Sequence, residues 1–541
     1  MQGLMQDWPL VVPTIIDHAR INHPEREVVT RTIEGPIHRY TYADMHARSK
    51  RLAKALTRLG VKPGHVVGTL AWNTHRHMEA WYAIMGAGAV CHTLNPRLFI
   101  EQLTYIANHA EDTYLLLDLT FVPIAEALAK TCPGIRGYII LTDRAHMPES
   151  KLPNMLCYEE LVAAEDENFD WVVVDERAAA GLCYTSGTTG NPKGVVYSHR
   201  SNVLHALAIN HPDCQGLRSV DCVLPIVPLF HANAWGITFS APISGSKFVH
   251  PGMKLDGASV FQLLEEERVT FTAAVPTVWL GLLQYLEKEN KKLTTLERMI
   301  VGGAACPAIL IEKFEEVYGV RVQHSWGMTE MSPMGTTGHL KASVQAMPRS
   351  QQWPYKLKQG RAPYTIEMKI IDDAGRELPR DGKTFGHLVV RGPAISKAYY
   401  KGEGGQILDE QGFFDTGDVA TIDDQGYMQI TDRAKDVIKS GGEWISSIEI
   451  ENLAVGHPSV AEAAVIGLPH PRWSERPLLV AVKKPNCEVS KPELLAFLEG
   501  KIAKWWMPDD VAFVDEIPHT ATGKIQKREL RDRFKDYVLP E

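Results

Sequence analysis

Eleven consecutive residues, Tyr184-Thr185-Ser186-Gly187-Thr188-Thr189-Gly190-Asn191-Pro192-Lys193-Gly194, carry three glycines, four Ser/Thr hydroxyls and one lysine. Glycine permits positive φ and a close approach of main chain, so successive amides can converge on one anion. The hydroxyls add donors, and Lys193 adds a mobile positive charge. That chemistry is phosphate binding. The Gly-x4-Gly-Lys-Ser/Thr spacing of the Walker loop is absent, and composition alone leaves a glycine- and serine-rich surface turn as the alternative. The apolar run from Ala178 to Cys183 predicts a buried strand that delivers the loop.

Further strings follow in order. Val223 to Trp235 reads as a strand broken by its prolines, which presents His231 and Trp235 on one side of a following helix. Met299 to Val301 reads as a strand ending in Gly302-Gly303-Ala304. Such bare main chain at a strand's C-terminal edge is where open α/β sheets bind ligands. His324-Ser325-Trp326-Gly327-Met328-Thr329-Glu330 offers a hydroxyl and a carboxylate, the oxygen donors that suit Mg2+ on a nucleotide. Gly412-Phe-Phe-Asp415-Thr416-Gly417-Asp418 places a carboxylate on a tight turn, a fit for paired hydroxyls. Thr431 to Lys439 is a charged connector, Ser440-Gly441-Gly442-Glu443-Trp444 a glycine-rich turn, and Ala521-Thr-Gly-Lys524 a late lysine among 57 basic residues.

Taken together, these strings resemble the adenylate-forming superfamily, which includes acyl-CoA synthetases, firefly luciferase and the adenylation domains of peptide synthetases. The resemblance runs from about Tyr40 to Leu530. It implies an enzyme that uses ATP, Mg2+ and coenzyme A to convert a carboxylic acid to an acyl-adenylate and then to a thioester. It implies that Thr185, Ser186, Gly187, Thr188, Thr189, Gly190 and Lys193 hold pyrophosphate. Thr329 meets the α-phosphate, and Glu330 holds Mg2+ with Thr185 beside it. Gly302, Gly303 and Ala304, with His324, Ser325, Trp326, Gly327 and Met328, line the nucleotide.

By the same resemblance His231 and Trp235 border the acyl pocket, with Trp235 as its gate and Trp326 and Pro333 as further wall. Asp418 accepts from both ribose hydroxyls, and Arg433 holds the ribose from the other side, near Ile430. Lys435 occupies a hinge. Lys439, Gly441, Gly442, Glu443 and Trp444 face the CoA tunnel once the small domain has turned. Lys524 is the adenylation lysine, counted as catalytic with Glu330, Thr185 and His231. Three positions depart from the common pattern: Trp326 replaces a tyrosine, Asp432 precedes Arg433 where glycine is usual, and Ala521 replaces a proline.

The elements that must position these groups are legible as an α/β rhythm. Thr41-Tyr-Ala-Asp44 is a capping box, and Met45, Leu52, Leu56 and Leu59 share one helical face up to Gly60. Val66 to Ala71, Tyr114 to Leu119, Gly137 to Leu141 and Thr270 to Val275 read as short buried strands. Arg76 to Met85 reads as a helix. Alternation of this kind predicts parallel sheets covered on both faces. The expected fold is α/β: a large N-terminal domain of parallel-rich αβαβ sheets with a small β-rich part, and a small mobile α+β C-terminal domain. Gln359 to Asp372 and Phe385 to Tyr400 supply the β-rich part, and Ile448 to Glu451 begins the first helix of the small domain. The domains are 1–431 and 438–541, joined by a hinge at 432–437.

A chain of 541 residues exceeds one hydrophobic core. With 45% apolar and 23% charged residues it reads as a soluble globular protein. A net charge of −8 disfavours nucleic acid as a partner. The eight cysteines (Cys91, Cys132, Cys157, Cys183, Cys214, Cys222, Cys306 and Cys487) form no Cys-x-x-Cys pair. They read as free thiols of a reducing cytoplasm. No signal peptide or membrane-spanning run is evident, so stable membrane insertion is not expected.

Among its relatives the chain resembles bacterial medium- and long-chain fatty acyl-CoA synthetases and 3-methylmercaptopropionate-CoA ligases, and that resemblance also implies a homodimer. Trp235, Trp326 and the methionines Met328, Met331 and Met334 suggest a soft apolar cavity for a short or medium aliphatic acid. A long-chain acid is the alternative. No charged partner for an amino acid's ammonium lies near Trp235 or Gly302 in the sequence. A luciferase-like oxidase and a non-catalytic nucleotide binder are the rival classes. CoA-dependent release of AMP without light would exclude the first, and loss of the lysine or the glutamate would mark the second.

Overall fold

The computed structural model describes residues 1–185, 191–441, 443–519 and 525–540, with Glu443 by its main chain only. Two sheets dominate the N-terminal part. One orders its strands as Met155–Cys157, Tyr138–Ile140, Asp112–Leu117, Val66–Leu70, Val90–Thr93, Ala179–Tyr184 and Gly194–Ser198. All neighbours in it are parallel except the last pair. The other runs Met334–Thr337, Arg321–Gly327, Arg298–Val301, Phe271–Ala274, Cys222–Pro225, Lys247–His250, Glu27–Arg31 and Ile37–Thr41, parallel except at its two ends. The expected α/β architecture is present.

Between these sheets lies the helix His75–Gly86, buried at every residue. A helix without a polar face belongs in an interior. Its one carboxylate, Glu79, is neutralised in place by Arg48 Nε at 2.9 Å and by the Tyr158 hydroxyl at 2.6 Å. Without such partners a buried charge is prohibitively costly. Trp81, Tyr82, Phe239 and Phe248 from both sheets and their helices share this core. The helix Tyr42–Arg58 begins with the capping box read from Thr41 and Asp44.

A four-stranded antiparallel sheet, Glu367–Ile371, Gly386–Arg391, Phe414–Ile422 and Met428–Arg433, makes the β-rich part. Beyond it, a long hairpin of Val460–His470 and Ser474–Lys483 pairs with Asp510–Phe513 and with the small hairpin Ile438–Ser440 and Glu443–Ile445. The helices Ser447–Val455, Lys491–Leu498 and Lys527–Arg533 belong to this C-terminal unit, whose core includes Ile438, Ile450, Val465, Leu479 and Leu494.

One local expectation is corrected. His231 and Trp235 do not share a right-handed helix. Ala232, Asn233, Ala234 and Trp235 all take left-handed conformations, with φ from +44° to +56°, and the helix starts only at Ile237. Left-handed backbone costs a non-glycine residue roughly 1–2 kcal/mol. Tertiary contacts hold it: the amide of Gln215 donates to the Trp235 carbonyl at 3.1 Å, and Asn233 donates to Asn202 at 3.2 Å. At Gly236 a Cβ would lie 2.5 Å from Ile209, so no side chain fits the end of the turn.

Candidate active site

The glycine- and hydroxyl-rich loop is the connection of an antiparallel hairpin, Ala179–Tyr184 to Gly194–Ser198, with Tyr184 opposite Gly194. Its neck is closed twice. Thr185 N–H donates to the Lys193 carbonyl at 2.9 Å, and Lys193 N–H donates to Thr185 Oγ1 at 3.1 Å. The anion-binding candidates Ser186, Gly187, Thr188, Thr189 and Gly190 lie outside the described residues, as do Gly442, the Glu443 side chain and Lys524. Gly194 is a glycine for a steric reason, because a Cβ there would lie 2.9 Å from Tyr400.

Glu330 sits in the turn Thr329–Met331 that follows the strand Arg321–Gly327. The strand stops at Gly327, where a Cβ would lie 2.1 Å from the Pro333 carbonyl. Glu330 is buried, and its Oε1 accepts the Tyr399 hydroxyl at 2.7 Å. Burial and the adjoining Glu330 charge push the Tyr399 phenol far above its ordinary range, so it stays a donor. Lys193 Nζ stands 4.8 Å over the same ring. The main chain is held as well: Ser396 N–H donates to the Glu330 carbonyl at 2.7 Å, and the Tyr197 hydroxyl donates to the Thr329 carbonyl at 2.7 Å. Tyr399 thus joins the lysine of the phosphate loop to the carboxylate read as the Mg2+ ligand.

A second cluster forms around Asp418, buried in the strand Phe414–Ile422. Arg433 Nε meets its Oδ1 at 3.0 Å, and Trp326 Nε1 donates to its Oδ2 at 3.0 Å. Arg433 lies directly opposite Asp418 in the ladder, so β pairing brings the two together. The tryptophan that departs from the family pattern therefore contributes a donor as well as bulk. Its ring lies against Gly335, where a Cβ would be 2.4 Å from it.

The Gly302-Gly303 edge is covered by an indole. A Cβ on Gly302 would lie 2.9 Å from the Ser325 carbonyl and 3.1 Å from the Trp235 ring, and Gly303 takes φ +79°. The structure thus brings Trp235, Gly302 and Ser325 together. His324 has a different occupation. Cys306 N–H donates to its Nε2 at 3.2 Å and its Nδ1 meets the Leu357 carbonyl at 3.0 Å. Burial pushes its pKa down to about 4, which keeps it neutral. Its side chain braces the Ala304–Pro307 turn.

In the connector, Arg433 closes the strand Met428–Arg433, and Ala434 N–H still donates to the Gly417 carbonyl at 2.9 Å. Burial lowers the Lys435 pKa, and the nearby Arg433, Arg531 and Arg528 lower it further against an opposing Asp436. Gly441 takes φ +60°, with a would-be Cβ 2.8 Å from Trp473. Lys439 Nζ lies 5.6 Å over the Trp444 ring, which meets His387 edge-on at 6.2 Å. Through His387 the Trp444 ring meets the four-stranded sheet. The loop that carries Lys524 is pinned at its base by a bridge between His519 and Ile525 and by the pair His519–Glu462 at 2.5 Å.

The donors around Glu330 suit magnesium. The resemblance names the Glu330 carboxylate and the Thr185 hydroxyl, both oxygens, and no group of three His, Cys, Asp or Glu side chains among the described residues could cage a metal alone. That is the set for an ion which arrives on nucleotide phosphates and keeps water.

The contact of Tyr399 with Glu330 is one that the sequence did not announce. Tyr399 sits near the end of the stretch Phe385 to Tyr400, and its partner lies 69 residues earlier, a distance no local pattern spans.

Comparison with known proteins agrees with this geometry. Residues 16–400 match the AMP-binding enzyme family, and residues 449–524 match the AMP-binding enzyme C-terminal domain. The chain is 49% identical over 536 residues to a 3-methylmercaptopropionyl-CoA ligase of Ruegeria lacuscaerulensis, covering 99% of each chain. It is 46% identical over 539 residues to a medium-chain-fatty-acid–CoA ligase of Ectopseudomonas oleovorans, covering 100% of this chain and 98% of the relative. A crystal structure of ATP-bound MatB from Rhodopseudomonas palustris superposes with a TM-score of 0.81 at 26% identity, covering 97% of this chain and 99% of the other.

Proposed function

The chain belongs to the AMP-binding enzyme family, and within it we propose that the acid it activates is a short or medium aliphatic one, such as 3-methylmercaptopropionate or a medium-chain fatty acid. It is an AMP-forming acid–CoA ligase that takes ATP and coenzyme A as co-substrates. The observation that supports the choice of acid is the pair of indoles set on bare main chain, Trp235 over Gly302 and Trp326 over Gly335, which this reading takes as walls of a narrow apolar space.

The chemistry must bring two anions together. The acid's carboxylate attacks the α-phosphorus of ATP in line, pyrophosphate leaves, and the thiol of CoA then attacks the acyl carbonyl and releases AMP. Thr185 and Glu330 would hold Mg2+ on the phosphates, and the ion, when bound, supplies positive charge against their repulsion. Lys193 and the loop donors receive pyrophosphate. Asp418, fixed by Arg433 and Trp326, orients the ribose, and the main chain at Gly302 and Gly303 lies against the adenylate. Lys524 supplies the charge for the first step. The small domain (438–541) then turns about Lys435 in the hinge 432–437, withdraws Lys524 and presents Gly441 to Trp444 to the thiol, in the manner of a hinge that absorbs backbone change at few residues.

Free thiols support a reducing, cytoplasmic setting: all eight cysteines are unpaired and seven are buried. No helix among the described residues is long and apolar enough to cross a membrane. A homodimer follows from the resemblance to bacterial fatty acyl-CoA synthetases, and light scattering of the purified protein tests it. The acid is tested by kcat/KM over a series of straight-chain acids and 3-methylmercaptopropionate. The reading predicts a maximum at short or medium length, and a maximum at long chains refutes it.

A further inference from the structure

The segment from Ser396 to Glu403 crosses the neck of the hairpin Ala179–Tyr184 and Gly194–Ser198 like a strap. At one end it is moored to the helix Ile100–Ala110 and its cap. The Tyr105 hydroxyl donates to Glu403 at 2.7 Å, and Lys401 pairs with Glu111 at 2.6 Å. In its middle, Tyr399 packs on Cys183, Val195 and Tyr197, the buried residues of the two strands that bracket the loop. From that seat it makes the two contacts already described, hydroxyl to Glu330 and ring face to Lys193.

These contacts do two physical jobs. A carboxylate can rotate and can collapse onto the nearest cation. The hydroxyl occupies one lone pair of Oε1 and fixes the plane of the group, leaving Oε2 and the remaining lone pairs for another ligand. The ring gives Lys193 an apolar face with a negative quadrupole to rest on. Among the described residues no ion pair joins Lys193 to Glu330, although both adjoin the same side chain. Each group therefore keeps its charge for an incoming polyphosphate and its cation.

We propose that Tyr399 is a positioning residue that orients the Glu330 carboxylate toward the nucleotide-bound divalent cation and keeps Lys193 from neutralising it. The proposal rests on the reading of Glu330 as the cation-binding carboxylate. Tyr399→Phe removes the hydrogen bond and keeps the ring, Tyr399→Leu removes both, and Glu330→Gln serves as the reference.

The probe is Mn2+ binding in the presence of a non-hydrolysable ATP analogue, followed by electron paramagnetic resonance, alongside the Mg2+ dependence of pyrophosphate exchange. Tyr399→Phe weakens Mn2+ binding about tenfold, the scale of a lost hydrogen bond to a charged group. It raises the half-maximal Mg2+ concentration by a similar factor and leaves the KM of the acid within about twofold. Tyr399→Leu weakens binding further, because Lys193 is released onto Glu330. A merely structural role lowers the melting temperature of Tyr399→Phe while the folded enzyme binds Mn2+ as the wild type does, and that result overturns the proposal while Glu330→Gln still weakens binding. Normal Mn2+ binding by Glu330→Gln overturns the Glu330 reading and the proposal with it.

Discussion

Trp326 carries the sharpest energetic prediction, because one side chain serves two sites. Trp326→Phe deletes the indole N–H that donates to Asp418 Oδ2 at 3.0 Å and leaves an aromatic ring against Gly335. A hydrogen bond to a charged group contributes roughly 1.5–3 kcal/mol. Asp418 is 3% exposed, so water makes up little of the lost donation. The carboxylate keeps Arg433 on its other oxygen, which places the loss near the lower end, about 1.5 kcal/mol. At 1.4 kcal/mol per decade that is about tenfold in affinity for the ribose-bearing ligand. Calorimetric titration of AMP and the KM of ATP in pyrophosphate exchange both measure it, and each should weaken about tenfold. The smaller ring also widens the acid space, so the optimum chain length moves upward in the same variant. Unchanged AMP affinity with a shifted acid optimum would falsify the bracketed-carboxylate account and leave Trp326 as wall alone.

Other substitutions probe the same geometry from different sides. Gly335→Ala puts a Cβ 2.4 Å from the Trp326 ring and 2.8 Å from Met331, an overpacking worth about 1–3 kcal/mol. It should lower the melting temperature and raise the KM of ATP together. Gly441→Ala strains a φ +60° turn and crowds Trp473 at 2.8 Å. Single-turnover assays should show thioester formation slowed several-fold with adenylation near wild type, whereas equal slowing of both steps refutes the role given to that turn. The hydrogen bond that His519 donates to the Glu462 carboxylate raises the His519 pKa above its ordinary 6.5. The stability this pair contributes is complete below about pH 6.5 and is lost as the pH rises through the raised value. His519→Gln should therefore melt lower than the wild type at acidic pH, with the gap closing above neutrality. A gap that does not narrow with pH contradicts the ion pair at the base of the lysine loop.

Much of this fold was legible because its signals are local. The capping box at Thr41 and Asp44, the apolar strands before the phosphate loop and the glycine pair at 302–303 announce themselves within a few residues, and each stands where its pattern implied. What local pattern could not show was decided by distant contacts. The left-handed turn at 232–235 is imposed by Gln215 and Asn202 and by the tight seat of Gly236 beside Ile209. The donor role of Trp326 depends on a carboxylate 92 residues away, and the reach of Tyr399 depends on the strap folding back over the hairpin neck. His324 looked like a nucleotide contact from its string, yet its ring is spent on Cys306 and Leu357.

The central claim is that a late lysine lets the acid's carboxylate approach a polyphosphate, and that it acts only in the first of two steps. Lys524→Ala measured in both half-reactions tests this directly. The account predicts that pyrophosphate exchange falls by about a hundredfold or more, the scale of losing one preorganised charge at a reacting centre, while CoA-thioester formation from supplied acyl-adenylate continues near the wild-type rate. Equal loss in both half-reactions, or exchange that persists without the lysine, contradicts it.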